Sequence, residues 1–213
     1  PVVLRTLDLG GDKLSNLFDA ITEANPFLGW RGIRICLDTP EMFKTQLRAL
    51  LRAGHGGEVQ ILFPMISNLD ELRRARALLE ESKDELRAAG QAFAQDCKVG
   101  IMVEVPSVAI LAEQFAAEVD FFSLGTNDLT QYTLAVDRGT TKVADLYDPF
   151  HTAVLQLVKT VADTGKRHHV PVSICGEMAG VPLATALLVG LGLNILSLSP
   201  GSIPEVKEII RSI

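Results

Sequence analysis

Short runs of β-branched and aromatic residues alternate along the chain with longer stretches in which apolar residues recur every three or four positions. The short runs predict strands at Val2 to Leu7, Val59 to Pro64, Val99 to Val105, Phe121 to Gly125, Val172 to Cys175 and Ile195 to Ser199. The longer stretches carry helix-start signals. Thr39 and Pro40 read as N-cap and first helical residue ahead of Phe43, Leu47 and Leu50, and Asn68 with Glu71 forms a capping-box-like start ahead of Leu72 and Leu79. Ser107 precedes Val108, Leu111 and Phe115 at helical spacing, and a last helix occupies Pro204 to Ile213. Gly54 to Gly57 and Thr164 to His169 read as turns before strands.

Strands that alternate with helices predict parallel pairing through helical crossovers, an α/β fold. Six such units suggest most of a (β/α)8 TIM-type barrel, whose usual size is about 250 residues. The pattern predicts one domain over residues 1–213, an incomplete barrel that lacks at least one strand ahead of Val2 and belongs to a longer protein. An open doubly wound sheet is the alternative, because periodicity does not report closure.

Composition narrows the partners. The chain has 213 residues, 47% of them hydrophobic, enough for one substantial core, and its net charge of −6 argues against nucleic acid or an anionic membrane. A bound phosphate would therefore need individually placed arginines. No apolar run is long enough to span a bilayer, so no membrane insertion is expected. Cys36, Cys97 and Cys175 form neither a disulfide framework nor a CxxC pair, which suits a reducing cytoplasm.

Polar residues gather at the C-terminal ends of the predicted strands, the face on which barrels build active sites. Arg5-Thr6-Leu7-Asp8 ends the first strand and leads into Gly10-Gly11-Asp12-Lys13; Glu104 ends the third. Gly125-Thr126-Asn127-Asp128 follows the fourth and Cys175-Gly176-Glu177 the fifth. Glu104 and Asp128, on consecutive strands, could share one hard cation. Magnesium suits such a pair, because it takes few protein carboxylates and fills its other positions with water and substrate oxygens; the plainer reading has each acid cap the following helix. Arg5, Arg31 and Arg138 offer forks that match phosphate or carboxylate, although any one of them alone also suits a solvated surface. Cys175 emerges at its strand's end. A thiol with a reference pKa of about 8.5 is protonated at neutral pH and able to give a proton to an enolate; an inert core cysteine fits the position equally well. His55, His151, His168 and His169 fall in predicted turns or at a helix start, away from that rim.

These blocks resemble the phosphoenolpyruvate (PEP)-utilising enzymes, and within them the enzyme I family of the bacterial sugar phosphotransferase system. The similar segments are Arg5 to Lys13, NPFLGWRGIR at 25–34, Phe63-Pro64-Met65, Met102 to Pro106, DFFSLGTNDLTQYTLAVDR at 120–138, and Cys175-Gly176-Glu177, in the family's order over almost the whole chain. The resemblance implies a PEP site at the mouth of a barrel. Glu104 and Asp128 would bind Mg2+, Arg5 and Arg31 would grip the phosphoryl group, and Asn127, Asp128, Arg138 and Glu177 would hold the substrate. Cys175 would protonate the enolate to pyruvate.

The resemblance also implies partners: a histidine on an N-terminal domain as phosphoryl acceptor, a phosphocarrier protein reached through it, and a homodimer in the full-length protein. The glycine- and threonine-rich signature of that histidine is not in this sequence, and the family supplies a further arginine from a strand before Val2. This chain alone is thus expected to bind PEP weakly and not to complete phosphotransfer. Three alternatives stand beside this reading: the matching domain of a pyruvate phosphate dikinase or PEP synthase, a magnesium-dependent lyase that forms pyruvate enolate, and a non-catalytic dimerisation or sensing module.

Overall fold

The computed structural model describes residues 1–9 and 25–213. Gly10-Gly11-Asp12-Lys13 of the first sequence block lies outside the described residues. Among the described residues, six strands follow one another in the sheet in chain order, β1 through β6. That order is the one a (β/α) barrel requires; a doubly wound sheet reverses its order at a switch point. The chain divides into two compact units, residues 1–100 and 101–213.

The first unit contains β1 (Val2–Arg5), α1 (Ile33–Asp38), α2 (Pro40–Ala53), β2 (Val59–Phe63) and α3 (Leu69–Ala88), and β3 (Lys98–Val103) begins in it. β1 and β2 pair in parallel from Val2↔Val59 to Arg5↔Leu62. Both end earlier than the sequence predicts, although Thr6 N still donates to Leu62 O at 3.0 Å. The period of α2 points Phe43, Leu47 and Leu51 inward, where all three are buried. Phe43 meets Phe63 edge-on with ring centroids 6.0 Å apart.

One cap differs from expectation in an informative way, and a second holds. Thr39 does precede Pro40, but its hydroxyl donates 2.6 Å back to Ile35 O, because the same residue ends α1. Asn68 caps α3 as read: its Oδ1 accepts from Glu71 N at 3.0 Å. The return arm reaches one residue further, with the Glu71 carboxylate accepting from Ser67 N at 2.6 Å and Ser67 Oγ at 2.9 Å. Asn68→Ala leaves one helix donor without its acceptor, and we expect a loss of about 1 kcal/mol in urea unfolding. A midpoint unchanged from the parent would show that the cap contributes nothing.

The second unit contains α4 (Pro106–Ile110), α5 (Ala112–Ala116), β4 (Phe121–Gly125), α6 (Thr126–Leu134), α7 (Thr152–His168), β5 (Val172–Cys175), α8 (Pro182–Gly190), β6 (Ile195–Leu196) and α9 (Ile203–Ser212). β4 pairs with β5 in parallel from Phe122↔Val172 to Gly125↔Cys175, and β5 with β6 over Ser173↔Ile195 and Ile174↔Leu196. Phe122, Leu124, Val154, Val158, Val161 and Ile174 are fully buried.

Three sequence readings are corrected here. The helix expected after Ser107 breaks at Leu111 into α4 and α5. Thr164 to His168 is not a turn: α7 continues through it and ends at His169 in the left-handed region, φ 57°. Gly165 signals packing there, since a Cβ on it would lie 2.2 Å from Val172 Cγ2 and 2.7 Å from Val170 O. The last strand covers two residues, Ile195–Leu196, rather than five.

Candidate active site

In the second unit, three consecutive strand ends deliver the polar residues. β3 runs into Glu104, 2% exposed, and β4 into the first turn of α6, which carries Asn127 and Asp128. β5 ends at Cys175, followed by Gly176 and Glu177. Two glycines make the close approach possible. A Cβ on Gly125 would stand 2.9 Å from Glu104 Cβ and 3.0 Å from its Oε2, so the carboxylate occupies the space a side chain would need. Gly176 adopts φ 96°, and a Cβ there would reach Thr126 Oγ1 at 2.7 Å and Asn127 Oδ1 at 3.0 Å.

Hydrogen bonds lock the end of β5 to the start of α6. Thr126 Oγ1 donates to Cys175 O at 3.2 Å, and Glu177 N donates to Asn127 Oδ1 at 3.0 Å. With its oxygen held by a backbone N–H, Asn127 has its amide N–H groups to offer a ligand. Asp128 is 6% exposed, and Arg138 Nη2 lies 3.8 Å from its Oδ1. Arg138 is placed by its own backbone, whose N–H donates to Gln131 Oε1 at 3.2 Å, after α6 has ended at Ala135 with φ 54°. Asp137 shapes that turn by accepting from Gly139 N at 2.8 Å and Thr140 Oγ1 at 3.0 Å.

Sequence reasoning passed over Tyr147. Its phenol donates to Asn127 O at 3.2 Å. Burial raises the phenol above its ordinary value, with Thr130 and Arg138 opposing and Glu177 adding to the rise, so it stays a protonated donor at neutral pH. Cys175, expected to be buried, is half-buried. Its Sγ accepts from Ser123 Oγ at 3.3 Å and donates to Leu124 O at 3.4 Å.

In the first unit the two arginines share one acid. Asp8 accepts from Arg5 Nη1 at 3.0 Å and from Arg31 Nη2 at 3.1 and 3.3 Å through its two oxygens. Arg31 and Asp8 side chains are 9% and 8% exposed, whereas Arg5 is 47% exposed. Arg31 is therefore a buried, pre-aimed fork rather than a solvated one. Asp8 stood in the sequence motif without a role; the available signal was an acid three residues after a strand-end arginine. Gly32, φ 55°, keeps the corner open: a Cβ there would meet Met65 Cβ at 2.9 Å and Asp8 Oδ1 at 3.2 Å. Met65 itself sits at φ 57°. The loop before Arg31 is fastened by Arg34 Nη1, which donates to Leu28 O and Gly29 O, both at 2.9 Å.

The remaining candidates stay outside this chemistry. Burial and the Asp8 charge push the Cys36 thiol up to about 12, and Cys97 is buried with Sγ 3.3 Å from Val59 O. All four histidines are exposed. His151 caps α7 through Nδ1, and His168 joins Arg167 on Glu113, whose carboxyl they hold below the usual range. A cavity of about 600 Å³ in the first unit, lined by Pro1, Glu58, Gln60, Asp96, Cys97 and Lys98 among others, lies at the opposite strand ends and holds none of the site residues. Among the described residues no cluster of three or more His, Cys, Asp or Glu could hold a metal.

Residues 1–213 match the family described as PEP-utilising enzyme, PEP-binding domain. Among curated proteins, the chain is 52% identical over 212 residues to the phosphoenolpyruvate-protein phosphotransferase of Staphylococcus carnosus and 52% to that of Bacillus subtilis. It is 50% identical over 211 residues to that of Haemophilus influenzae. The chain is covered to 99–100% in these matches but spans 37% of each relative's length. Among solved structures, a citrate lyase from Burkholderia xenovorans superposes with TM-score 0.59 at 19% identity, covering 78% of this chain and 53% of that one. A Haloferax volcanii malate synthase ternary complex gives 0.53 at 13%, covering 71% and 41%. Likeness at that identity concerns the fold alone, and with the unreversed strand order it bears out the TIM-type (β/α)8 class over the doubly wound alternative. The full-length family match and relatives at half identity place the chain in the PEP-utilising enzymes, in the family of their PEP-binding domains.

Proposed function

We propose that this chain binds PEP together with Mg2+ and carries out the pyruvate-forming side of phosphoryl transfer to a histidine on another domain, as in the phosphoenolpyruvate-protein phosphotransferases it is similar to. The observation that carries this reading is the arrangement in the second unit: two buried carboxylates, Glu104 and Asp128, an arginine beside one of them, and a half-buried thiol two strands along from Glu104.

The donor set fits magnesium. Two buried hard carboxylates suit an ion that takes few protein carboxylates and keeps most of its coordination for water and substrate oxygen. Gly125 leaves the Glu104 carboxylate room at the strand end. Glu104 and Asp128 would hold the ion, which when bound supplies positive charge against the phosphoryl and enolate oxygens.

The chain's own residues do the rest. Arg5 and Arg31 grip the phosphoryl oxygens and neutralise the charge that spreads over them as the P–O bond breaks. Asp8 keeps both forks in place before substrate arrives. Arg138 and the Asn127 amide fix the substrate carboxylate and enol oxygen, and Glu177 supports that corner through its backbone bond to Asn127. Cys175 then gives its thiol proton to the terminal carbon of enolpyruvate, which traps the product as pyruvate.

The same reading proposes a cytoplasmic homodimer at the protein's natural length, with a phosphocarrier protein as the onward partner. No helix among the described residues is long and apolar enough to cross a membrane. Calorimetric titration of PEP, with and without Mg2+, into this chain and into the protein at its natural length tests the proposal. Binding that needs Mg2+ is expected, weak in this chain and stronger at natural length. Absence of binding from both forms would refute it, and magnesium-dependent pyruvate release from a hydroxy-oxoacid would turn the assignment to a lyase.

A further inference from the structure

Cys175 is not alone at its strand end. Ser123 lies on β4, 5% exposed, two residues before Gly125, which is the register partner of Cys175. In a parallel ladder Ser123 and Gly125 project to one face together with Ser173 and Cys175. On β4 the position directly opposite the thiol is a glycine, and the diagonal neighbour on that strand is Ser123. Its hydroxyl spends its one proton on Cys175 Sγ, at 3.3 Å, while Ser173 Oγ turns instead to Phe122 O at 3.3 Å. The thiol proton is directed to Leu124 O, 3.4 Å away.

We infer that Ser123 is a positioning residue for proton delivery: its hydroxyl pins the sulfur, so that only the S–H hydrogen swings from Leu124 O toward the substrate. This inference rests on the proposed role of Cys175 as the enolate's acid. Rotation about Cβ–S moves one hydrogen and leaves the sulfur in place. In the step itself, the enolate oxygen's electron pair re-forms C=O and the C=C pair takes the proton. The S–H bonding pair stays on sulfur. Ser123 O–H, already directed at Sγ, then donates to the thiolate, a stronger acceptor than the thiol it replaces. Water returns the proton to sulfur and completes the cycle. Ser123 touches neither substrate nor cation, and its effect passes through Cys175.

The test uses two readouts on the protein at its natural length. The first is exchange of pyruvate methyl hydrogens for deuterium in heavy water with Mg2+, which runs the same proton transfer in both directions. Ser123→Ala is expected to lower the turnover of exchange about tenfold, the equivalent of one weakened hydrogen bond, and to leave KM within about twofold because no substrate contact is removed. Ser123→Thr keeps the hydroxyl and should recover most of the rate. The second is the S–H stretching band of Cys175, identified as the band lost in Cys175→Ala. In Ser123→Ala it should broaden and move up, as the thiol leaves its single rotamer on Leu124 O. An unmoved band, or turnover in Ser123→Ala equal to the parent, overturns the inference. A fall in turnover accompanied by an equal rise in KM, or one that Ser123→Thr does not rescue, also overturns it, since either marks a general loss of structure. A band that moves as expected in a parent protein that neither binds PEP nor exchanges pyruvate would refute the proposed function and, with it, the catalytic purpose of the contact, leaving the contact itself intact.

Discussion

Glu104→Gln and Asp128→Asn are each expected to weaken magnesium-dependent PEP binding by about 100-fold or more at an unchanged fold. Both substitutions keep shape and remove the negative charge of a buried carboxylate. Changing groups that merely orient a metal ligand costs 10–100-fold in affinity as a rule, so removing an anionic ligand of a two-carboxylate site should cost at least as much. The two variants should differ in one respect. Asp128 also faces Arg138 Nη2 at 3.8 Å, so its neutralisation leaves that guanidinium with less counter-charge. Magnesium-independent PEP binding should therefore survive better in Asp128→Asn than in Glu104→Gln. Calorimetry over a range of Mg2+ concentrations, with circular dichroism to confirm folding, decides the matter. Equal affinity in parent and variants would remove both acids from the metal site; neither caps the helix after its strand, since the N-caps of α4 and α6 are Val105 and Gly125 and no side chain caps either helix.

Much of this arrangement was legible because strand ends are legible. β-branched runs that stop at a polar residue or glycine placed Glu104, Asn127, Asp128, Cys175 and Glu177 at consecutive C-terminal ends, and parallel pairing puts such ends on one rim. Local signals were read well where one residue has one task. Asn68 caps α3 as its spacing from Glu71 predicts. They were read less well where a residue serves two elements, as Thr39 does between α1 and α2. Gly165 shows a deeper limit. A glycine flanked by Thr164 and Lys166 looks like a turn along the chain, and only the approach of Val172 from the adjoining strand explains why a helix needs it.

The partners of the site residues were less visible still, because they arise from register and not from spacing. Ser123 meets Cys175 across a 52-residue separation, and Asp8 meets Arg31 across 23. Nothing local marks a serine in a buried strand as a sulfur's donor. A motif conveys which groups act; the neighbours that hold them become apparent once strand is laid against strand.

Gly125→Ala is expected to damage both stability and binding, and the structure separates the two effects. The backbone at Gly125, φ −91° and ψ 78°, does not lie in the left-handed region, so an alanine should meet no such strain there. The cost comes from contact. The new Cβ would stand 2.9 Å from Glu104 Cβ and 2.9 Å from Met102 Cγ. Met102 has a flexible side chain that is able to yield, whereas Glu104 Cβ is one bond from the main chain and moves only with its strand. Overpacking of this kind costs about 1–3 kcal/mol, measurable by urea unfolding. The carboxylate must also shift, since its Oε2 lies 3.0 Å from the same point. Misplacement of a reacting or binding group by about 1 Å is able to cost 100-fold, so PEP affinity with Mg2+ should fall by about 10- to 100-fold even at low temperature, where the variant is folded. Gly201→Ala provides the comparison: that glycine has nothing within 4 Å of a new Cβ and no positive φ, and both readouts should stay at parent values. If Gly125→Ala lost stability but bound PEP as the parent does, the Glu104 carboxylate would be tolerant of displacement, which a metal ligand in a two-carboxylate site is not.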